Sequence, residues 1–250
     1  MIETRFEQGV FHIALNRPEK HNAFDAAMIG AVSEAVHAVP AEARAVLFSG
    51  NGKSFCAGAD IGYMRKQAES TEEENREDAR KLAHMFETIY LLPMPTIASV
   101  HGNVFGGGLG IVAACDIAIA ADDARYCFSE VNLGIIPAVI SPYVLRKTGV
   151  AFAKRYFLSG EVFSSAAAAA AGLISESVAA SDQAASLEKL LRAVTSAGQP
   201  AQKSAKRLLH AFENFEPFSR DQLIHELAKL RSSDDAQSRM KKFLEKSTRA

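Results

Sequence analysis

The 250 residues suffice for one large domain, or one domain with an appendage, and 48% hydrophobic with 23% charged is an ordinary globular composition with ample material for a core. A net charge of −1 removes the electrostatic footprint that nucleic acid or an anionic membrane surface would require, so neither is an expected partner. The cysteines, Cys56, Cys115 and Cys127, form no CxxC pair and leave an odd count, which argues against a disulfide framework or zinc site. They fit a reducing compartment, and no signal peptide or membrane span is legible after Met1, so the expected location is cytoplasmic.

Taken in chain order, Val10–Leu15 (VFHIAL) and Arg44–Gly50 (RAVLFSG) are short apolar, β-branched runs closed by turn residues, and both read as strands. Between them, Asp25 is placed to cap a helix whose apolar positions Met28, Ile29, Val32, Val36 and Val39 recur at helical spacing until Pro40. A second helix follows, with Ser70 and Glu73 as its capping box and Glu72–Glu74 as a solvated first turn complementing the helix dipole. Its stripe of Leu82, Met85, Phe86, Ile89 and Tyr90 faces a core. Thr96–Val100 and Asp116–Ala120 read as strands on either side of a glycine-rich segment. Such strand–helix–strand repeats imply a mainly parallel sheet with helices packed on it. Beyond Pro142, SPYVLRKTG, AFAKRYFLSG and SSAAAAAAGL read as helices ending in glycine. The run Ala166–Ala171 needs no role beyond helix formation. From Ala184 the patterning is helical throughout, which divides the chain into a core of residues 1–195 and a C-terminal helical region of residues 196–250.

Residues 105–116, FGGGLGIVAACD, run three glycines into a helix-like segment, at a cost of about 0.5–1 kcal/mol each relative to alanine. Gly106, Gly107, Gly108 and Gly110 do not spell the GxGxxG of a dinucleotide site, and the Gly-Lys-Ser/Thr of a phosphate loop is missing. Two uses remain: close packing of a helix, or bare backbone N–H groups at its N-terminus turned toward negative charge. Ser54–Ile61 (SFCAGADI), a second side-chain-poor loop beyond a strand, favours the latter. Two backbone donors that meet at one oxygen make an oxyanion hole.

LNRPEKHNAF, SFCAGADI, HGNVFGGGLGIVAACDIAIA and FSEVNLGIIP, in this order and spacing from residue 14 to about residue 150, resemble the enoyl-CoA hydratase/isomerase (crotonase) superfamily. The resemblance implies an α/β fold, a spiral of ββα repeats with a C-terminal helical region that closes homotrimers, often paired as hexamers. It implies an acyl-CoA thioester substrate, with coenzyme A part of that substrate and no separate cofactor or metal. The thioester oxygen, enolate in the transition state, takes two backbone N–H bonds; carried over by motif, the donors are Ala57 and Gly107, with a helix starting near Gly108. Substrate contacts fall on Lys20, His21 and Ala23, on Ala57, Gly58, Ala59, Asp60 and Ile61, on Gly106, Gly107 and Gly108, and on Pro137. Asp60 is expected to fix its loop rather than act chemically, and Cys56 to be a small buried hydrophobe.

Simple hydratases of the superfamily carry two glutamates, the first lying four residues after the first of the three glycines. Here Glu130 matches the second and Gly110 stands at the first. One glutamate is what many enoyl-CoA isomerases of the superfamily retain. Against that, GIIPAVISPYVLRKTG (Gly134–Gly149) resembles bacterial methylglutaconyl-CoA hydratases of leucine breakdown and relatives in acyclic terpenoid breakdown, which hydrate a branched enoyl thioester despite the glycine. The expected activity is therefore hydration of the α,β double bond of a short or branched acyl-CoA, with Glu130 catalytic. An isomerase using Glu130 as sole base is the alternative, and a catalytically silent acyl-CoA-binding subunit is a third. His101, Ser141 and Tyr143 are secondary candidates for handling a proton or water. Pairing with Arg125 is the plain structural role open to Glu130. Arg65, Lys66, Arg146 and Lys147 are candidates for the cation that a distal substrate carboxylate needs.

Overall fold

The N-terminal hairpin turns on Gln8 and Gly9, both at positive φ (49° and 79°), as a tight two-residue turn requires. It joins β1 (Ile2–Glu7) to β2 (Val10–Leu15) in antiparallel register. The sequence reading does not anticipate β1, because IETRFE has almost no buried position and so no apolar alternation. The computed structural model describes residues 1–213 together with Asp234 and Ser238; helical patterning expected beyond 213 lies outside the described residues.

Helix α1 (Ala26–His37) starts where expected, with the Asp25 carboxylate accepting from Met28 N–H at 2.8 Å. Strand β3 (Ala45–Gly50) leads to α2 (Ile61–Glu69) and α3 (Glu72–Leu91). The capping box of α3 is Thr71 with Glu74, not Ser70 with Glu73. Ser70 is spent on the preceding helix, its hydroxyl donating to Lys66 O at 3.0 Å. Beyond β4 (Thr96–Val100) and β5 (Asn103–Phe105) come α4 (Gly107–Ala114) and β6 (Ile117–Ala121). Asp116 stands outside its expected strand because its carboxylate accepts from Thr96 N–H and Thr96 Oγ1, which aligns the starts of β4 and β6. Then follow β7 (Arg125–Cys127), a 3₁₀ turn over Ser129–Leu133, and α5 (Ser141–Ser159), broken at Gly149 (φ 71°) into the two helices the sequence indicates. β8 (Phe163–Ser164), α6 (Ser165–Ala170), β9 (Glu176–Val178), α7 (Gln183–Ser196) and α8 (Gln199–Glu213) complete the described chain.

The main sheet has the order β1-β2-β3-β4-β6-β9, parallel apart from its first pair. A smaller sheet, β5-β7-β8, stands beside it and is what makes the architecture a spiral of repeats rather than a single doubly wound sheet. Two compact units divide the chain: Met1–Leu92 with Thr96–Thr195, and Pro93–Pro95 with Ser196–Ala250. The first holds both sheets. In the second, Lys206 Nζ donates to Met94 O at 3.2 Å.

Candidate active site

Two segments run side by side beyond the strand ends. Phe55 N–H donates to His101 O, Cys56 N–H to Asn103 O and Phe105 N–H to Cys56 O, at 2.9, 3.1 and 2.9 Å. This pairing lays the SFCAGAD loop against the strand that enters the glycines, so the two side-chain-poor loops converge. A third segment braces them from outside. Buried Asn22 donates from its amide to Asn51 O and Ser54 O, both at 2.9 Å. Arg17 links the two capping carboxylates, Asp25 of α1 at 2.5 Å and Asp60 of α2 at 3.5 Å. Asp60 accepts from Tyr63 N–H and Gly62 N–H, which with Lys20 and Arg17 holds its carboxyl below the usual range. Asp60 is thus a helix cap, as its loop-fixing role anticipated.

The backbone donors sort themselves by what they already bond. Gly106 N–H donates to Cys127 O at 3.2 Å and Gly108 N–H to the sulfur of Cys56, leaving Gly107 N–H with no acceptor among the described residues. In the facing loop, Ala57 N–H donates to His21 O at 3.0 Å and Asp60 N–H to Phe24 O at 2.8 Å. The Cys56 thiol donates to Gly58 O at 3.9 Å, with Gly58 N–H turned toward the sulfur, and Ala59 N–H bonds nothing among the described residues. The free pair is therefore Ala59 with Gly107. The expectation that Ala57 is a donor is corrected: its N–H is committed to His21. Cys56 does more than fill space, since its buried thiol ties both loops together, and burial pushes it up to about 12, far from a reactive thiolate.

The glycines also serve packing. A Cβ on Gly108 would lie 2.8 Å from Cys56 Cβ, and one on Gly110 would lie 2.4 Å from Phe86 Cζ and 2.6 Å from Ile140 Cγ2. Helix α4 is buried at every position after Gly107, and its all-round apolar surface fits that environment. Where a first glutamate would stand, this protein has the side chains of Phe86 and Ile140.

Glu130 is placed by aromatic packing. Phe128, fully buried, meets Phe157 at 4.6 Å and Phe163 at 5.6 Å, and Tyr126 stacks on Phe163 at 5.4 Å. A buried Phe side chain contributes about 1.5–3 kcal/mol, so this cluster fixes the start of the 3₁₀ turn firmly. The turn aims Glu130 back at the glycines: Oε1 is 3.4 Å from where a Cβ on Gly106 would be. Oε2 is buried without a hydrogen-bond partner, and burial raises the carboxyl above its ordinary value, while its own backbone N–H partly opposes this. No ion pair with Arg125 forms among the described residues.

These groups share a cavity of about 480 Å³. Ala57, Gly58, Ala59, Gly106, Gly107, Glu130 and Pro137 line it, with an apolar wall that includes Phe24, Met64, Leu82, Leu133, Ile136 and Ile140. Free backbone donors and a buried carboxyl with one unpartnered oxygen share an apolar cleft, an arrangement for stabilising an oxyanion while moving a proton. The family model for enoyl-CoA hydratase/isomerase matches residues 5–249. The chain belongs to the enoyl-CoA hydratase/isomerase family.

Its membership of the crotonase superfamily is equally plain in the structural neighbours. The crystal structure of an enoyl-CoA hydratase from Shewanella pealeana superposes with a TM-score of 0.91 at 36% identity, covering 98% of this chain and 93% of that one. Pseudomonas aeruginosa AtuE gives 0.92 at 31%, covering 98% and 96%. The hydroxycinnamoyl-CoA hydratase-lyase of Pseudomonas fluorescens is 31% identical over 182 residues, 71% of this chain and 66% of that protein. The chain spans 66% of the length of one other curated relative and 50% of three more.

In this enoyl-CoA hydratase/isomerase fold several sequence candidates stand apart from the cavity. Lys20 is exposed and 3.8 Å from Asp60, His21 Nδ1 meets Ser54 Oγ at 3.3 Å, and Ala23 is buried in the bracing loop. Ile61 is exposed on the first turn of α2. His101 Nε2 meets Gly52 O at 2.9 Å, and Ser141 Oγ donates to Ala138 O at 2.8 Å. Tyr143 packs on Phe86 and Tyr90 beneath Arg146. None of these lines the cavity, nor do Gly108, Asp60, Arg65, Lys66, Arg146 or Lys147. Tyr63, Gln67, Ser129 and Asn132, none of them expected from the sequence, do line it. Tyr63 and Gln67 both donate to Asp78 of α3, Gln67 at 2.7 Å, a long-range pairing with no signature in the sequence.

Proposed function

We propose that this protein hydrates the α,β double bond of a short or branched enoyl-CoA thioester, holding the enolate oxygen between the N–H groups of Ala59 and Gly107. The carrying observation is Glu130 Oε2, a buried carboxyl oxygen without a partner, on a side chain that lines the same cavity as those two donors. A buried unsatisfied group of this kind is unfavourable for folding and marks a functional position. In the proposed reaction, Glu130 takes a proton from water as its oxygen bonds to Cβ. The π electrons move to the thioester oxygen, where the two N–H groups stabilise the charge, and Glu130 then delivers the proton to Cα. Water is consumed, and the carboxylate is regenerated.

The reading needs no cofactor, since coenzyme A is part of the substrate. Among the described residues, no Lys, Arg or His lines the cavity and Glu130 is its only carboxylate. The acyl group it suits is apolar and uncharged, which weighs against the distal carboxylate of a methylglutaconyl group. Purified protein with crotonyl-CoA and a branched homologue should bleach the enoyl thioester absorbance; no loss with any enoyl thioester overturns hydration.

The filled space at Gly110 favours isomerisation as the second reading, because moving a proton between two carbons needs one base only. A 3-enoyl-CoA that becomes conjugated without taking up oxygen from ¹⁸O-labelled water would select it.

A further inference from the structure

Resting on the hydratase reading, a question remains: what holds the attacking water beside Glu130 when a second carboxylate has no room? A productive water needs two or more polar partners. Among the described residues the cavity offers four polar side chains besides Glu130: Tyr63, Gln67, Asn132 and Ser129. The Tyr63 hydroxyl and the Gln67 amide N–H are both committed to Asp78. Asn132 donates from its amide to Gly160 O at 3.3 Å and lies flat on Gly160, where a Cβ would meet the amide nitrogen at 2.6 Å. Ser129 Oγ has no hydrogen bond among the described residues.

We infer that the Ser129 hydroxyl and the Glu130 carboxylate together hold the nucleophilic water, Ser129 taking the place of the glutamate excluded at Gly110. Both side chains line the same cavity, and one water spans two oxygens up to about 5.5 Å apart. The hydroxyl can accept from the water while Glu130 takes its other proton, which leaves an oxygen lone pair for Cβ. Buried Phe128 on one side and the 3₁₀ turn on the other hold Ser129 in register.

The test is hydration kinetics with crotonyl-CoA for wild type, Ser129→Ala and Ser129→Thr. Removing one water ligand should lower kcat about tenfold. KM should stay within twofold, because the thioester is held elsewhere. Thr keeps the hydroxyl and should recover most of kcat. An Ala variant with wild-type kcat overturns the inference, as does a Thr variant as slow as Ala, which would make the role one of packing. A wild type that hydrates no enoyl thioester overturns the hydratase reading itself and this inference with it. An active wild type beside an equally active Ala variant removes only the role of Ser129.

Discussion

At the residue scale, Glu130 sets stability against chemistry. Burial raises its carboxyl, so the ionised form is disfavoured in the folded protein relative to the unfolded chain. The sign follows: nothing is lost below the unfolded value of about 4.3, and destabilisation grows as pH rises from there toward the folded value. Glu130→Gln is therefore expected to melt higher than wild type at pH 7 and level with it at pH 4, in a thermal melt at both. The same variant should lose hydration by about 10²–10⁴. Retention of a tenth of the activity would move the catalytic group elsewhere. Gly107 offers a second test. It is the first residue of α4, where proline is well tolerated, and its N–H is free. Gly107→Pro should cut kcat about 10²–10³ with thioester binding little changed. Gly107→Ala meets the same Phe24 ring, 2.7 Å from its Cβ, but keeps the donor, so it separates crowding from the missing N–H. Equal losses in the two variants would assign the glycine to packing.

At the element scale, α4 is the rigid part and α2 the loosely held one. Gly110→Glu puts a Cβ within 2.6 Å of Phe86 and Ile140, so it should gain no activity. Overpacking of this kind costs about 1–3 kcal/mol, or a fall in Tm on the order of 5 °C. A more active Gly110→Glu enzyme would show that the pocket has room for a second carboxylate. Helix α2 has no buried residue and is held by polar contacts: its Asp60 cap, the Tyr63 and Gln67 bonds to Asp78, and Asn75 Nδ2 donating to Gln67 O at 3.1 Å. Asp78→Ala should speed amide hydrogen exchange across residues 61–69 and raise KM several-fold, with the global melt within about 1 °C of wild type. Unchanged exchange in that segment would mean other contacts hold the helix. The shift of the capping box by one residue has the same local logic. Ser70 and Thr71 both suit an N-cap, and only the presence of α2, unread in the sequence, claims Ser70 for its own end.

At the scale of the whole molecule, the superfamily resemblance carries an expectation of assembly, and sedimentation at micromolar concentration should give three or six times 26.9 kDa. A single-chain mass would overturn it. The sequence by itself determined the strands that are buried on both faces, the Asp25 cap, the break at Gly149 and the family, because each is written in local periodicity, capping chemistry or an ordered set of motifs. It also located Glu130 and the two glycine-bearing loops. It could not determine β1, the small second sheet or α2: β1 and α2 lack an apolar pattern, and the strands of the small sheet are short and paired across long stretches of chain. Nor could it select among neighbouring N–H groups. Ala57 and Ala59 are alike as letters, and the hydrogen bond from Ala57 to His21 O alone makes Ala59 the free donor. The exclusion of a carboxylate at Gly110 likewise comes from Phe86 and Ile140, brought against α4 from two other helical regions. Motif spacing fixes which loops carry the chemistry, whereas tertiary packing decides which atoms in them remain available, because a backbone donor is free only where the fold leaves it without an acceptor.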